Sequence, residues 1–420
     1  MGKNQNNLIA GLDIGSTTVK IVVGQAVEDA SGTLDLQILG AVQTPSVGVS
    51  KGSINSIEDV VSVVSSSLEK IERIVGVPIE SAWLGIAGLH IMSQSNKGVV
   101  AVSKADNEIT AEDVERALEA AKAISVPLNY QVLHVLPKNF CVDGQSSIKD
   151  PIGMTGMRLE VDTQIILSSN SQLDTLSKSV YRAGLDIKDV VLSILANAEA
   201  TVTDRQKDLG VAVLDIGGST TSIAIFEEGD LLYNAILPIG SDHITNDIAI
   251  GLRTDIDMAE KVKVEFGDTR SDKISKKDQF DLADLGSGSS DIFKRQFLAQ
   301  IIEARVEEIL NKVDDELKKA KRSGLLPAGI VLTGGGAKLP GMVESVKRCL
   351  RLPATLGYPI DIMSVTEKIN DLSFATAVGL VKWGLVMDKH SKGRHAWGDG
   401  TKKIGQASKQ IKQWIKSLIP

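Results

Sequence analysis

The fold is decided by Leu8-Ile-Ala-Gly-Leu-Asp-Ile-Gly-Ser-Thr-Thr-Val-Lys-Ile-Val-Val-Gly24 and by a later stretch that echoes it, Gly210-Val-Ala-Val-Leu-Asp-Ile-Gly-Gly-Ser-Thr-Thr-Ser-Ile-Ala-Ile225. Each copy is an apolar run, a small polar turn that starts with glycine, and a second apolar run, which is the pattern of a β-hairpin. Two similar stretches indicate an internal duplication. The sequence therefore predicts a duplicated α/β fold with two facing hairpins.

The tips of both hairpins have the composition of a phosphate-binding loop. Glycine lets backbone N–H groups approach a phosphate, and serine or threonine hydroxyls add donors with little bulk. The aspartate before each turn, Asp13 or Asp215, could hold a Mg²⁺-bound water near the phosphates. One such hairpin is equally explained as an ordinary turn, but two in register favour a phosphate clamp. The predicted phosphate-binding residues are Gly15, Ser16, Thr17, Thr18, Lys20, Gly217, Gly218, Ser219 and Thr220.

Two further segments could complete a nucleotide site. In 328–341 an apolar strand runs into three consecutive glycines, which would let a flat ring lie against bare backbone. In 259–263 a helical pattern carries polar side chains that could reach an adenosine. A glycine turn without a ligand and a solvated helix face are the simpler alternatives. The predicted residues are Glu260, Lys263, Gly334, Gly335, Gly336 and Lys338.

Composition excludes several classes of protein. The chain has 420 residues, of which 43% are hydrophobic and 24% charged, so we expect a soluble protein of more than one domain. No apolar run reaches the roughly 20 residues that a membrane-spanning helix requires. Two cysteines and five scattered histidines give neither a disulfide framework nor metal-ligand spacing. We expect a cytoplasmic protein without a secretory signal.

Charge is distributed unevenly along the chain. The net charge is −7, yet residues 388–420 contain eight basic and only two acidic residues. The rest of the chain is therefore more acidic than the net value. An acidic body disfavours binding to nucleic acid, and the basic end calls for a separate explanation.

These elements, in this order, resemble the actin, Hsp70 and sugar-kinase ATPase superfamily. Further strings narrow the resemblance, over essentially the whole chain, to the FtsA family of bacterial cell-division proteins. The resemblance implies a duplicated actin-like (ribonuclease-H-like) fold with an inserted small α+β subdomain and a C-terminal amphipathic helix. The strings that carry it are Gly48–Asn55, Leu133–Pro137, Ile148–Met154, Ala328–Gly336 and Ala375–Leu380.

The same resemblance implies cofactors, partners and a location. ATP and Mg²⁺ are the implied cofactors. The implied partners are the C-terminal peptide of the tubulin-like FtsZ, other copies of the chain in filaments, later division proteins and an anionic membrane surface. The implied location is the cytoplasmic side of the cell membrane at the division site. A PilM-like pilus-assembly protein shares the fold but lacks a C-terminal membrane helix, and a small-molecule kinase would need a sugar-binding cluster that we do not find.

The resemblance also divides the chain into subdomains. The predicted order is 1A with the first phosphate loop (1–84), the insert 1C (85–162), 1A again (163–204), 2A with the second phosphate loop (205–250), 2B (251–324), 2A with the adenosine motif (325–364), the closing helix of 1A (365–388), a flexible linker (389–401) and a membrane-targeting helix (402–420). The insert is expected to take part in self-association.

Local patterns add detail to the insert and to 2B. Thr110 is typical of a helix N-cap, with acidic residues in the turn that follows. Residues 276–291 are rich in Ser, Gly, Lys and Asp and predict a mobile loop. A long helix is predicted over 293–321. Its charges are most simply a solvated face, but the resemblance aligns Arg305 and Glu308 with positions that receive the FtsZ peptide.

One departure from the superfamily concerns catalysis. Many hydrolysing members carry a polar pair near the start of the connecting helix, where it orients the attacking water. The alignment places Leu195-Ala196 there, and Glu199 faces elsewhere in that register. Nucleotide binding with at most weak ATPase activity is the expectation.

The C-terminal segment predicts a membrane-binding helix. From Lys402 onward, apolar residues fall at the spacing of one helical face, lysines fill much of the rest, and no acidic residue follows Asp399. Such a helix would lie flat on an anionic surface. A helix docked on the body of the protein is the alternative. The predicted membrane-contacting residues are Ile404, Ile411, Trp414, Ile415, Leu418, Lys409, Lys412 and Lys416.

Overall fold

Both hairpin stretches fold as antiparallel strand pairs, and each lies in the sheet of one lobe. The computed structural model describes residues 8–28, 34–123, 126–287 and 290–394. The strands are β1 (Leu8–Ile14), β2 (Thr18–Glu28), β3 (Leu34–Pro45), β4 (Val49–Ser50), β5 (Ser53–Ile54), β6 (Ser81–Ile86), β7 (Ile91–Ala101), β8 (Tyr130–Val142), β9 (Gln145–Ile148), β10 (Arg158–Ser169), β11 (Asp186–Leu192), β12 (Val211–Ile216), β13 (Thr221–Glu227), β14 (Asp230–Leu237), β15 (Gln279–Asp281), β16 (Ile292–Lys294), β17 (Gly329–Thr333), β18 (Ala354–Leu356) and β19 (Met363–Ser364).

The helices separate these strands and cover the sheets. They are α1 (Ile57–Val75), α2 (Ala111–Lys122), α3 (Asn170–Arg182), α4 (Ser193–Thr201), α5 (Asp204–Leu209), α6 (Ser241–Leu252), α7 (Ile256–Phe266), α8 (Arg295–Lys319), α9 (Met342–Leu350) and α10 (Ala375–Arg394).

The first lobe is built on a sheet with the strand order β11-β6-β1-β2-β3-β19. Helix α1 packs on β2 and β3, while α10 packs on β1, β2 and β6. In the register of the sheet, Asp13 lies opposite Lys20, and Lys20 lies opposite Gln43. Because paired residues point to the same face, these three side chains form one row across the sheet.

The second lobe repeats the hairpin in a sheet of order β14-β13-β12-β17-β18. Strand β12 runs antiparallel to β13 and parallel to β17, which sets Asp215 beside Thr333. Asp215 therefore occupies the position in this lobe that Asp13 occupies in the first. Helices α6, α7, α8 and α9 belong to this lobe and pack on one another.

The insert forms a third sheet, β7-β10-β8-β9, with α2 packed on β7 and β10. It has its own apolar core, and Thr110 caps α2 by accepting a hydrogen bond from the Asp113 amide, as the sequence predicts. The insert also contacts the second lobe: Lys138 Nζ donates to the Leu232 carbonyl at 3.1 Å, and Ser93 Oγ donates to Asn234 at 2.7 Å. Because its strands β8 and β10 also contact β11 and α3 of the first lobe, the insert touches both lobes.

Three predicted segments differ from the structure. Residues 276–291 are not simply a loop. They contain β15, which pairs with β16 just after the segment, and a 3-10 turn over Leu282–Leu285. Residues 389–394, predicted as the start of a flexible linker, belong to α10, which continues to Arg394. The predicted end of the insert, residue 162, falls inside β10, which continues to Ser169. The helix predicted over 402–420 lies outside the described residues.

Candidate nucleotide-binding cleft

A cleft of about 440 Å³ lies between the two lobes, with the tips of both hairpins on its walls. All of the residues that the sequence predicts for phosphate, metal and adenosine contacts line it. Those from the first lobe are Asp13, Gly15, Ser16, Thr17, Thr18 and Lys20, and those from the second are Asp215, Gly217, Gly218, Ser219, Thr220, Glu260, Lys263, Gly334, Gly335, Gly336 and Lys338.

The two hairpin turns have the same local geometry. The Gly15 amide donates to the Thr18 carbonyl at 3.1 Å, and the Gly217 amide donates to the Thr220 carbonyl at 2.9 Å. Each turn therefore closes on itself through one backbone bond, and the residues between remain at its tip. This matched geometry is what a clamp on one chain of phosphates requires.

The tips approach each other so closely that one of them needs glycine. A Cβ atom on Gly218 would lie 2.0 Å from Thr17 Oγ1 and 2.9 Å from both carboxylate oxygens of Asp242. Asp242, at the start of α6, also accepts a hydrogen bond from Ser219 Oγ at 3.0 Å. The sequence analysis missed Asp242, because an aspartate in the first turn of a helix usually serves only the helix terminus.

Asp13, Lys20 and Asp215 form the charged floor of the cleft. Lys20 Nζ lies 4.0 Å from Asp13 Oδ2 and donates to Thr18 Oγ1 at 2.7 Å. Burial raises the pKa of Asp13, and Lys20 opposes that rise. Burial and then the charge of Asp13 raise the pKa of Asp215 to about 6, against opposing effects of Lys20 and Asn197. One lysine does not neutralise two half-buried carboxylates.

These two carboxylates fit a hydrated Mg²⁺ ion. Among the residues that the structure describes, no three His, Cys, Asp or Glu side chains are grouped to hold a metal. Mg²⁺ in nucleotide sites, however, keeps several waters and takes only one or two protein carboxylates beside the phosphates. A cation here would offset the burial that raises the pKa of both carboxyls and the charge of Asp13 that further raises the pKa of Asp215. Asp13 and Asp215 would hold it through its waters, and Mg²⁺ would screen the phosphate charge.

The pKa of Asp215 predicts how Mg-ATP binding depends on pH. Lowering the pH from 7.5 to 5 should protonate Asp215 and weaken binding by about tenfold, since each pH unit below a pKa protonates the group about tenfold further. ATP itself gains protons in this range, so Asp215→Asn is the matched control. Calorimetry should show the wild-type advantage over this variant shrinking at pH 5. An advantage that stays constant with pH would contradict the role of Asp215.

Asp215→Asn should also raise the thermal stability of the nucleotide-free protein at pH 7. A pKa raised on folding means that the folded chain binds the proton more tightly than the unfolded chain. The folded state therefore loses stability as pH rises from about 4 to about 6, and the neutral amide removes that loss.

On the adenosine side, Glu260 and Lys263 are held by Thr245. Lys263 Nζ donates to Thr245 Oγ1 at 2.7 Å, and Thr245 Oγ1 donates to Glu260 Oε2 at 2.5 Å. Lys263 is 6% exposed, so this side of α7 is not a solvated face. Thr245 lies on α6 and shares no sequence pattern with the motif, which is why the sequence analysis did not find it.

The three glycines after β17 differ in their surroundings. Gly334 has φ +84°, and a Cβ there would lie 2.2 Å from Asp215 Oδ1. A Cβ on Gly336 would lie 2.4 Å from Ile216 Cγ2, whereas a Cβ on Gly335 would meet nothing within 4 Å. Gly334 and Gly336 therefore allow the backbone to pack against β12, and Gly335 faces open space.

The connecting helix α4 corrects one expectation. Leu195 and Ala196 do not line the cleft; Ser193 and Asn197 do. Asn197 donates to Thr333 Oγ1 at 2.9 Å and to Thr376 Oγ1 at 3.3 Å. The sequence did not point to Ser193 and Asn197, because helical periodicity decides which side chains of α4 reach the cleft and a two-residue string does not show it.

Glu199 lies away from the cleft, as predicted. It forms an ion pair with Lys207, whose Nζ lies 2.6 Å from Glu199 Oε1. Among the described residues that line the cleft, α4 supplies no carboxylate. It therefore offers a hydroxyl and an amide for holding a water, and neither is a strong base.

Comparison with known proteins adds a family to this geometry. A family model described as "Cell division protein FtsA" matches residues 212–379, and one described as "SHS2 domain inserted in FTSA" matches residues 88–167. The FtsA protein of Bacillus subtilis is 40% identical over 380 residues, covering 90% of this chain and 84% of the relative. That of Pseudomonas aeruginosa is 34% identical over 414 residues, covering 97% of each. The chain belongs to the FtsA family.

Solved structures confirm the actin-like fold of this FtsA. The PilM–PilN type IV pilus biogenesis complex aligns with TM-score 0.64 at 16% identity, covering 90% of this chain and 98% of that one. MreB5 of Spiroplasma citri bound to ADP aligns with TM-score 0.55 at 14% identity, covering 94% and 99%. At such identity the PilM likeness concerns the fold alone. The chain is thus a member of a cell-division protein family with an actin-like fold.

Two other predictions concern surfaces outside the cleft. Arg305 on α8 forms ion pairs with Asp247 on α6 and with Glu308, one turn further along α8. Ile250, three residues after Asp247, is 77% exposed.

Among the residues described, no helix is both long and apolar enough to cross a bilayer.

Proposed function

We propose that this FtsA binds Mg-ATP between its hairpins and links the FtsZ ring to the cytoplasmic face of the membrane. The observation that carries the nucleotide part is the pair of matched hairpin turns on opposite walls of one cleft, each preceded by a half-buried aspartate. No side chain of α4 in the cleft is a strong base, which supports binding with slow hydrolysis. Membership of the FtsA family favours a division role over a small-molecule kinase.

We propose that the FtsZ C-terminal peptide binds beside Arg305 and Glu308. Support comes from the combination of an exposed apolar side chain, Ile250, with charged groups on the adjoining helices α6 and α8. An apolar anchor with charges beside it is a common arrangement for peptide recognition. Asp247 holds the Arg305 guanidinium through two hydrogen bonds, of 2.5 and 2.9 Å, and so fixes its direction.

Arg305→Glu should weaken binding of the FtsZ peptide at least tenfold, because it replaces the guanidinium with a carboxylate beside Asp247 and Glu308. Fluorescence anisotropy with a labelled peptide would measure this. Lys318→Glu, further along the same helix, pairs only with Asp314 and Asp315 and also exchanges a cation for a carboxylate, so it should leave affinity nearly unchanged. Equal affinities for both variants would place the peptide elsewhere.

We also propose that the insert supplies a self-association surface. Met157 near its end is 69% exposed, whereas Met154 packs against the core of the insert. Met157→Glu should therefore reduce filaments on lipid, as seen by electron microscopy, without changing Mg-ATP affinity. Met154→Leu preserves the apolar core and serves as the control. Normal filaments formed by the Met157 variant would exclude this surface.

Membrane binding is proposed for residues 402–420, with the apolar stripe in the lipid headgroup region and the lysines against anionic lipid. This rests on the sequence pattern, since those residues lie outside the described part of the chain. Later division proteins are proposed to join through the assembled filament.

A further inference from the structure

A second cavity, which we call the α4 groove, lies on the other side of helix α4 from the nucleotide cleft. Its volume is about 590 Å³, and three parts of the chain form it: the insert, the second lobe and α10. Leu195 and Glu199 of α4 line this groove, whereas Ser193 and Asn197 line the cleft. The other apolar side chains of the groove are Leu136, Pro137, Phe140, Phe226, Leu231, Trp383, Val386 and Met387.

The charged groups around the groove differ in whether they have a partner within the protein. Most of its lysines are bonded nearby: Lys207 pairs with Glu199, Lys149 with Asp230, and Lys382 donates to the Ile360 carbonyl at 3.0 Å. Asp204 and Asp208, one turn apart on α5, are exposed at its edge. A segment that binds here should therefore be apolar on one side and carry cations about one helical turn apart.

One lining residue of the groove carries a buried donor that has no partner among the described residues. Trp383, one of its lining residues, is 9% exposed, and its indole Nε1 has no hydrogen-bond acceptor in the part of the chain described. Because this nitrogen is fully buried, Trp383 offers an occupant of the groove only its apolar ring.

The chain itself continues from the helix that lines this groove. Between Met387 and Arg394, α10 rises only about 10 Å, at about 1.5 Å per residue. Residues 395–401 reach about 24 Å when extended, at about 3.4 Å each. A helix that begins at Lys402 can therefore turn back and lie in the groove.

The sequence of this segment matches what the groove requires. Residues 402–420 combine a stripe containing Ile411, Trp414, Ile415 and Leu418 with lysines and no acidic residue. Lys412 and Lys416 are four residues apart, as are Asp204 and Asp208, so the two pairs have the same spacing along their helices.

We propose that residues 402–420 dock as a helix in the α4 groove when no membrane is bound, with their apolar stripe on Trp383 and Met387 and Lys412 and Lys416 over Asp204 and Asp208. The inference rests on the proposed membrane-binding role of this segment. Because one apolar stripe cannot lie in the groove and in lipid at once, docking masks the anchor until an anionic surface competes for it.

Spin-label distances in the full chain test docking without reference to function. Labels are placed at Gln413→Cys and Leu209→Cys, the latter exposed at the end of α5, with Cys141 and Cys349 replaced by serine. Without lipid we expect a narrow distribution below about 30 Å, since the whole helix is only about 28 Å long. Vesicles containing phosphatidylglycerol should lengthen and broaden it. A broad distribution without lipid would overturn the proposal.

Charge reversal at the groove gives an independent readout. Asp204→Lys with Asp208→Lys should release the segment, broaden the lipid-free distances and tighten vesicle binding about three- to tenfold, because apparent affinity scales with the exposed fraction of the anchor. Asp257→Lys with Glu265→Lys makes the same charge change on α7, also at exposed positions, and should do neither. If both double variants tighten vesicle binding equally, the change in net charge explains the effect, and docking is overturned.

The two hypotheses fail differently. If Trp414→Glu leaves vesicle binding unchanged, the membrane anchor is wrong, and the lipid-free distances still decide docking. If those distances are broad while vesicle binding depends on Trp414, the anchor stands and docking is wrong.

Discussion

Replacing Gly335 with glutamate is expected to weaken Mg-ATP binding at least 100-fold, equivalent to about 2.7 kcal/mol. A Cβ at Gly335 meets no atom within 4 Å, and the residue lines the cleft. The added side chain can therefore extend into the space of the nucleotide without disturbing the fold. Its carboxylate would also repel the phosphates, and an uncompensated like charge in an interface costs several kcal/mol.

Calorimetry with Mg-ATP measures this loss, and Gly335→Ala is the matched control. A methyl group at an open position should change affinity little. Substitution of Gly336 would not be informative, because its Cβ would collide with Ile216 and damage the packing of β12. Full affinity in a folded Gly335→Glu variant would remove the glycine triplet from the nucleotide site.

Trp414→Glu is expected to release the protein from anionic vesicles, with at least a tenfold loss of binding. Tryptophan favours the headgroup region, and a carboxylate in the apolar stripe would have to be desolvated and would meet anionic lipid. Each lysine near such a surface contributes about 1 kcal/mol, so the lysines alone should retain only part of the binding. Mg-ATP affinity should be unchanged.

Trp397→Glu is the matched control, since it makes the same chemical change before the predicted helix begins. Vesicle co-sedimentation should separate the two variants. If both bind lipid as the wild type does, the anchor lies elsewhere in the chain.

The hairpins could be predicted because every step of the reasoning was local. Asp13 and Asp215 precede their turns in the sequence, and strand pairing alone brings the remaining residues of each tip to the same place. That both tips would share one cleft followed from the duplication. Glu260 and Gly335 lie outside the duplicated hairpins, so only the family resemblance assigned them to the same site.

The parts that could not be predicted depend on packing between distant segments. Asp242 reaches the cleft, and Thr245 lies behind Glu260 and Lys263, because α6 begins beside the second hairpin turn. Ser193, rather than Leu195, reaches it because of the rotation of α4 about its axis, which a short string does not fix. The α4 groove requires three segments to meet, and no one of them carries a sign of it.

The most direct test of the proposed link between FtsZ and the membrane is a three-component sedimentation. A labelled FtsZ C-terminal peptide is mixed with phosphatidylglycerol vesicles and Mg-ATP, with and without this FtsA. The account predicts that the peptide pellets only when the protein is present, and that Arg305→Glu or Trp414→Glu each prevents it. Wild-type protein that pellets while the peptide stays in solution would contradict the account.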